Sequence, residues 1–237
     1  MGFVDLHSHV LFGLDDGAPD AQASVAMLDG LATLGITEQC VTPHQKASQY
    51  MPAWDQIEHA LAQVEALRKP QHPTLRLAAE NMWDDVFWQR VTEGKVPGYA
   101  GTRAFLVEIP PPLAPPQMID QLFKFRMAGK VPVLAHPERY HALWDDDAFA
   151  LELRKHCAFQ IDLPALGGYH GRREMKQARH LVEIGLAAVV ATDAHQLGDI
   201  QHAAEGLRWI EKKHGHAAVV RLFDHAPRAI LGGELPD

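Results

Sequence analysis

The sequence predicts an α/β fold, a parallel (β/α) barrel of seven strands, and three observations carry that expectation. Seven short apolar runs alternate with stretches whose apolar residues recur at helical spacing, as βα units do. Most of the runs are apolar throughout, as strands buried on both faces are. Six of the seven end on His, Asp or Glu, and a parallel barrel brings all such ends to one face. No linker-like or repeated stretch divides the 237 residues, so residues 1–237 are read as one domain.

The first strand is Phe3-Val4-Asp5-Leu6, running into His7-Ser8-His9. Side chains two apart on a strand point the same way, so His7 and His9 can offer nitrogens to one metal ion. Asp15-Asp16-Gly17 follows as a turn, and Pro19-Asp20 opens a helix that keeps Val25, Leu28, Leu31 and Leu34 on one face and stops at Gly35. Strand two, Glu38 to Thr42, runs into Pro43-His44. A helix from Trp54 to about Arg68 carries Ile57, Leu61, Val64 and Leu67 on one stripe.

Strand three, Leu75 to Ala79, delivers Glu80. Asn81 to Arg90 reads as a loop or short helix over the mouth, and its Trp83, Phe87 and Trp88 serve packing or substrate stacking. Strand four, Ala104 to Val107, delivers Glu108 ahead of the proline-rich segment Ile109 to Pro116 and a helix from Gln117 to Ala128. Strand five, Val131 to Ala135, delivers His136-Pro137-Glu138-Arg139-Tyr140. Strand six, Ala158 to Leu163, ends without an obvious ligand, although Asp162 is near. A glycine-rich basic loop, Gly167 to Arg173, leads into the next helix. Strand seven, Ala187 to Ala191, delivers Thr192-Asp193-Ala194-His195, and helices finish the chain.

A net charge of −8 argues against nucleic acid or an anionic membrane as the main partner. No run approaches the roughly 18 apolar residues that span a bilayer, and no secretory leader is visible, so the expected location is the cytoplasm without membrane insertion. Cys40 and Cys157 sit in or beside apolar runs, and neither begins a Cys-x5-Arg phosphate loop, which removes thiol-based phosphatase chemistry.

The collected set is His7, His9, Asp16 or Asp15, His44, Glu80, Glu108, His136, Asp193 and His195. Mixed imidazole and carboxylate ligands suit Mn²⁺, Fe²⁺ or Zn²⁺, and nine of them are enough for two or three ions sharing a bridging carboxylate.

Asp5-Leu6-His7-Ser8-His9, Asp15-Asp16-Gly17, Thr42-Pro43-His44, Val107-Glu108, Ala135-His136-Pro137-Glu138-Arg139-Tyr140 and Ala191-Thr192-Asp193-Ala194-His195 together resemble the PHP (polymerase and histidinol phosphatase) superfamily. Within it the chain is most similar to the CpsB/YwqE-type capsular protein-tyrosine phosphatases. The resemblance spans essentially the whole chain and implies a distorted seven-stranded barrel with a trinuclear metal site, Mn²⁺ the first choice of ion. It implies that His7, His9, Glu80 and Asp193 hold one ion, Glu80, Glu108 and His136 a second, and Asp16, His44 and His195 a third. Asp16 is preferred to Asp15 because the second Asp of the turn matches the family ligand. Arg139 would bind the phosphoryl oxygens, its planar fork of donors matching phosphate, with Asp193 and His136 beside it in catalysis. Family members often carry a second arginine after the Asp-x-His motif, and Gln196 to Gln201 contains none, so Arg172 or Arg173 is the candidate replacement.

The implied activity is hydrolysis of phosphotyrosine, on a tyrosine autokinase of capsule or exopolysaccharide synthesis. Divalent ions lower the pKa of bound water from 15.7 toward about 7, and a phenolate leaving group with a pKa near 10 needs no strong acid. The alternative is a PHP phosphoesterase for a small metabolite such as histidinol phosphate. The oligomeric state is left open by the sequence.

Overall fold

The computed structural model of the chain describes residues 2–112 and 115–236; residues 113 and 114 of the expected proline-rich segment lie outside it. Among the described residues nine parallel strands form two sheets: β1 (Phe3–Asp5), β2 (Ile36–Val41), β3 (His44–Gln45), β4 (Thr74–Leu77), β5 (Glu80–Met82), β6 (Ala104–Glu108), β7 (Val131–Ala135), β8 (Ala158–Asp162) and β9 (Ala187–Ala191). One sheet has the order β1-β2-β4 and the other β3-β5-β6-β7-β8-β9. The helices are α1 (Ala21–Thr33), α2 (Trp54–Leu67), α3 (Asp85–Glu93), α4 (Met118–Met127), α5 (Asp147–Arg154), α6 (Leu163–Gly167), α7 (Arg172–Glu183), α8 (Leu197–His214), α9 (His216–Val220) and α10 (Ala226–Leu231). Among the described residues no helix is long and apolar enough to cross a membrane.

The expected α/β fold with parallel strands is found, and its seven expected barrel strands appear among the described residues as two sheets, neither of which closes on itself. Seven of the nine strands fall on the expected runs, while β3 and β5 lie just past the second and third of them, β5 taking in Asn81 and Met82 of the expected loop or short helix. Pro43, which has no N–H to give to a ladder, separates β2 from β3. The Ala78-Ala79 pair separates β4 from β5, with Ala78 N donating to Val41 O (2.9 Å) and Glu80 N to Pro43 O (3.2 Å) across the gap. At the β1–β9 junction a side chain takes over ladder bonds. The Asp5 carboxylate accepts from Thr192 N (3.1 Å), Thr192 Oγ1 (2.5 Å) and His7 N (3.3 Å). What remains between the two runs is the single parallel bridge Ser8–Ala194 and its neighbouring backbone bonds.

Two-sided burial explains why the runs lack alternation. Ala104 and Leu106 pack in one cluster with Val4, Leu6, Val131, Val133 and Ala135, while Phe105 and Val107 face the other cluster beneath the helices. The period of two then places Glu108 on the same face as Ala104 and Leu106. Trp83, Phe87 and Trp88 form a ring cluster with Phe105 and Phe125, which accounts for them by packing.

Local signals set the helix starts. Asp20, Asp84 and Asp146 each accept a backbone N–H three residues on, capping α1, α3 and α5. The short α6 follows directly on β8 and packs against α8 at Gly206, where an added Cβ would lie 2.1 Å from Leu163 O. Gly206→Ala is therefore expected to destabilise the fold by about 1–3 kcal/mol, the scale of overpacking. Calorimetry reads this as a lowered Tm, and an unchanged Tm contradicts the close approach.

Candidate metal centre

The strand ends converge. His7 and His9, just past β1, approach Nε2 to Nε2 at 3.2 Å. Glu80 Oε2, at the start of β5, lies 3.4 Å from His7 Nε2, 3.5 Å from His9 Nε2 and 2.7 Å from His44 Nδ1, and Oε1 lies 3.0 Å from His136 Nε2. Asp193 Oδ1, past β9, is 3.3 Å from His7 Nε2 and 3.5 Å from His9 Nε2. On the outer side, Asp16 Oδ1 is 3.4 Å from His44 Nε2 and 3.6 Å from His195 Nε2. Donor atoms of Glu108, Glu80 and His44 lie within 4.8 Å of one another. All nine residues of the collected set thus meet in one cluster.

The clustering overlaps the allotment that the family resemblance implies, since His7, His9 and Glu80 form one group and Asp16, His44 and His195 fall together in another, and it adds further groupings. His9 gathers with Asp16, His44 and His195, while His136 gathers with His7 and Asp193. His44 joins Glu80 and Glu108. Glu80 touches four of the five imidazoles and is the natural shared ligand.

The imidazoles are oriented by what lies behind them. His9 Nδ1 is 2.7 Å from Asp15 Oδ2, His136 Nδ1 is 2.7 Å from Asp162 Oδ1, and His195 Nδ1 donates to Asp193 O at 2.9 Å. His7 Nδ1 lies 2.7 Å from the Gln160 amide. Gln160 Oε1 is buried and partnerless. Turning that amide over lets Oε1 accept from His7 Nδ1–H and leaves the Nε2 lone pair for an ion. Four rings thus have Nδ1 engaged by the protein and Nε2 turned into the cluster, the arrangement of metal-bound histidines. The same geometry separates the two turn aspartates. Asp15 is spent on His9 Nδ1, His44 N and Gly17 N, whereas Asp16 faces the cluster. Gly17 is required there, since a Cβ would sit 2.2 Å from His9 O.

Charge and strain mark the same place. Burial favours the neutral form of Glu80, yet His7 and His44 hold its carboxyl well below the usual range. Burial and the neighbouring Glu80 charge push the Glu108 carboxyl up. Burial lowers the basicity of His9 and His44, but hydrogen bonds and charges from Asp15, Asp193, Glu80 and Asp16 outweigh it, raising them to about 9 and about 11. His136 and Asp193 both hold left-handed backbone, φ 54° and 48°, which costs a non-glycine residue on the order of 1–3 kcal/mol. Glu80 Oε2 and Asp193 Oδ1 are buried and make no well-aligned hydrogen bond among the described residues, although His44 Nδ1 stands 2.7 Å from Glu80 Oε2. Imidazoles aimed at orphaned carboxylate oxygens fit divalent cations, whose charge such a donor set needs.

Loading cations must then displace protons from His9 and His44 near neutral pH. Calorimetric titration with Mn²⁺ in buffers of different ionisation enthalpy is expected to show net proton release and an affinity that tightens as pH rises. An enthalpy independent of the buffer contradicts the protonated imidazoles.

Arg139 stands on the rim, its side chain a quarter exposed. Its Nη2 donates to Asp162 Oδ2 (2.5 Å) and Asp193 Oδ2 (3.2 Å), and those charges raise its basicity further against the opposing effect of burial. The expected partners Arg172 and Arg173 do not join it. Arg173 lies over the Trp144 ring at 3.8 Å and 4.0 Å from Asp145 Oδ2, and both arginines line a 590 Å³ hollow with Trp144, Lys176 and His180. Gly168 and Gly171, both at positive φ, turn the loop so that His170 enters instead, its Nε2 3.2 Å from Arg139 Nη2. His170 sits at no strand end, so the pattern that selected the others passed over it.

The model of the family described as capsular polysaccharide synthesis, CpsB/CapC, matches residues 3–232. The chain belongs to the CpsB/CapC family. Among its relatives, the tyrosine-protein phosphatase CpsB of Streptococcus pneumoniae is 27% identical over 241 residues, covering 98% of this chain and 99% of that protein. The tyrosine-protein phosphatase YwqE of Bacillus subtilis is 28% identical over 228 residues, covering 94% and 89%. A solved structure from work on these two proteins, described as metal-dependent tyrosine phosphatases, superposes with a TM-score of 0.88 at 25% identity, covering 99% of this chain and 96% of the other. An organophosphorus hydrolase from Deinococcus radiodurans shares the general fold at a TM-score of 0.59 and 14% identity.

Proposed function

We propose that this CpsB/CapC protein is a metal-dependent protein-tyrosine phosphatase, a single distorted seven-stranded barrel acting in the cytoplasm on a phosphorylated tyrosine autokinase of capsule or exopolysaccharide synthesis. The observation that carries the reading is the inward turn of the anchored His7, His9 and His136 rings onto the Glu80 and Asp193 carboxylates, with His195 turned to Asp16 and a guanidinium on the rim. His9, Asp16, His44 and His195 would hold one ion and His7, His136 and Asp193 another. Glu80 would be shared, and with His44 and Glu108 it offers a third place. Mn²⁺ is the first choice, with Fe²⁺ and Zn²⁺ accepted by the same donors.

Bound ions would supply a nucleophile from water near neutral pH and positive charge for the phosphoryl oxygens. The chain's own part is to hold and orient. Arg139 Nη2 is engaged by Asp162 and Asp193, while Nη1 has no protein partner among the described residues, so that edge is left for a phosphoryl oxygen. His170 Nε2 lies 3.2 Å from the same Nη2. A tyrosine phenolate departs readily enough that no strong proton donor is required, which favours aryl over alkyl phosphates.

The test is turnover of a phosphotyrosine peptide by the full chain with Mn²⁺, after EDTA, and after readdition of Mn²⁺. Activity lost to the chelator, restored by the ion and higher on the peptide than on histidinol phosphate is expected. Turnover that survives the chelator contradicts the metal dependence, and preference for histidinol phosphate moves the substrate to small alkyl phosphates.

A further inference from the structure

Of the seven apolar runs, β8 ends on the one acidic residue for which the strand-end pattern found no task. Asp162 is fully buried and stands at the N-terminal boundary of α6, yet its side chain makes no capping bond to that helix. Both oxygens are spent elsewhere. Oδ1 accepts from His136 Nδ1 at 2.7 Å, and Oδ2 accepts from Arg139 Nη2 at 2.5 Å. The carboxylate is itself held in place. Its backbone N–H donates to Glu138 Oε1 (3.2 Å), and the β7–β8 ladder continues to the bond from His136 N to Gln160 O (3.2 Å).

We propose that Asp162 is a positioning residue that fixes a metal ligand and the phosphate-gripping guanidinium from one carboxylate, coupling metal loading to substrate grip; this rests on the phosphatase reading above. For His136 to offer Nε2 to an ion, Nδ1 must carry the proton, and a carboxylate on that proton sets the tautomer, fixes the ring and makes Nε2 a better ligand. The same negative charge immobilises Nη2, so the Arg139 fork meets a phosphoryl group already oriented. His136 also sits in left-handed backbone, which gives its ring few ways to compensate if this bond is lost. A lone helix cap would contact neither group, and an ordinary buried ion pair would contact only one.

The experiment uses the full chain and Asp162→Asn, which keeps the shape and removes the charge, with folding checked by Tm. Calorimetric Mn²⁺ titration is expected to show one binding step weakened by about 10–100-fold, the effect of losing a partner behind a metal-bound histidine. At saturating Mn²⁺ the KM for a phosphotyrosine peptide should still rise by about tenfold, the scale of one charged hydrogen bond. In the Arg139→Lys background Asp162→Asn should add little to KM. Wild-type Mn²⁺ binding and wild-type KM in Asp162→Asn overturn the proposal. So does a metal defect alone, with KM unaltered at saturation, or full additivity with Arg139→Lys. If the wild-type protein turns over no phosphotyrosine, the phosphatase reading fails by itself, and the coupling is then read as weaker binding of inorganic phosphate to Mn²⁺-loaded Asp162→Asn than to wild type. Asp162→Ser, smaller and equally uncharged, carries the same expectations should the Asn variant fail to fold.

Discussion

Glu80→Gln is expected to abolish high-affinity metal binding and lower kcat/KM on phosphotyrosine peptide by about a thousandfold, the upper range for removing one preorganised polar group from an active centre. Glu80 is the hub. Its two oxygens reach His7, His9, His44 and His136, each at 3.5 Å or less. The amide keeps the size but loses the charge that holds those imidazoles together, and it presents an NH₂ group toward nitrogens meant for a cation. Elemental analysis of the purified variant should find metal reduced relative to wild type, while circular dichroism stays unchanged. Full metal content with normal turnover would show that Glu80 is a structural strand-end acid and that the ions, if any, lie elsewhere.

Arg139→Lys should give the complementary result: metal content kept, and kcat/KM down by about a hundredfold or more, the lower range for losing a preorganised donor. A lysine carries the same charge but presents a single rotatable ammonium. It cannot hold Asp162 and Asp193 with one nitrogen while offering another to the substrate. Steady-state kinetics at saturating Mn²⁺ separates the two roles, since the defect in Glu80→Gln begins with metal and the defect in Arg139→Lys does not. Equal kinetics for Arg139→Lys and wild type would leave the guanidinium without a part in phosphate recognition. His170, its neighbour at 3.2 Å, would then be the next candidate for that part.

The centre was legible in the sequence wherever a side chain's position follows from strand geometry. His7, His9, Glu108, His136 and Asp193 stand at or just past the ends of runs buried on both faces, and parallel strands leave such residues no other place to go. The choice between Asp15 and Asp16 needed coordinates, because both sit in one turn and only the backbone decides which carboxylate backs His9 and which faces the cluster. Arg172 and Arg173 were attractive as charges near a phosphate site. Two glycines at positive φ instead direct His170 inward and leave the arginines beside Trp144, and a loop's exit direction is written in dihedrals that composition does not reveal. The split of the expected barrel strands into two sheets was hidden for a similar reason. Pro43 and the Asp5 carboxylate replace or remove backbone bonds that a uniform run of apolar residues suggests are present.

The most direct measurement is anomalous diffraction at the manganese edge from crystals of the full chain grown with Mn²⁺. Two or three peaks are expected among His7, His9, Asp16, His44, Glu80, Glu108, His136, Asp193 and His195, one of them within bonding distance of a Glu80 oxygen. Peaks confined to the protein surface, with none inside this ring of residues, would contradict the assignment of these strand ends to a metal centre.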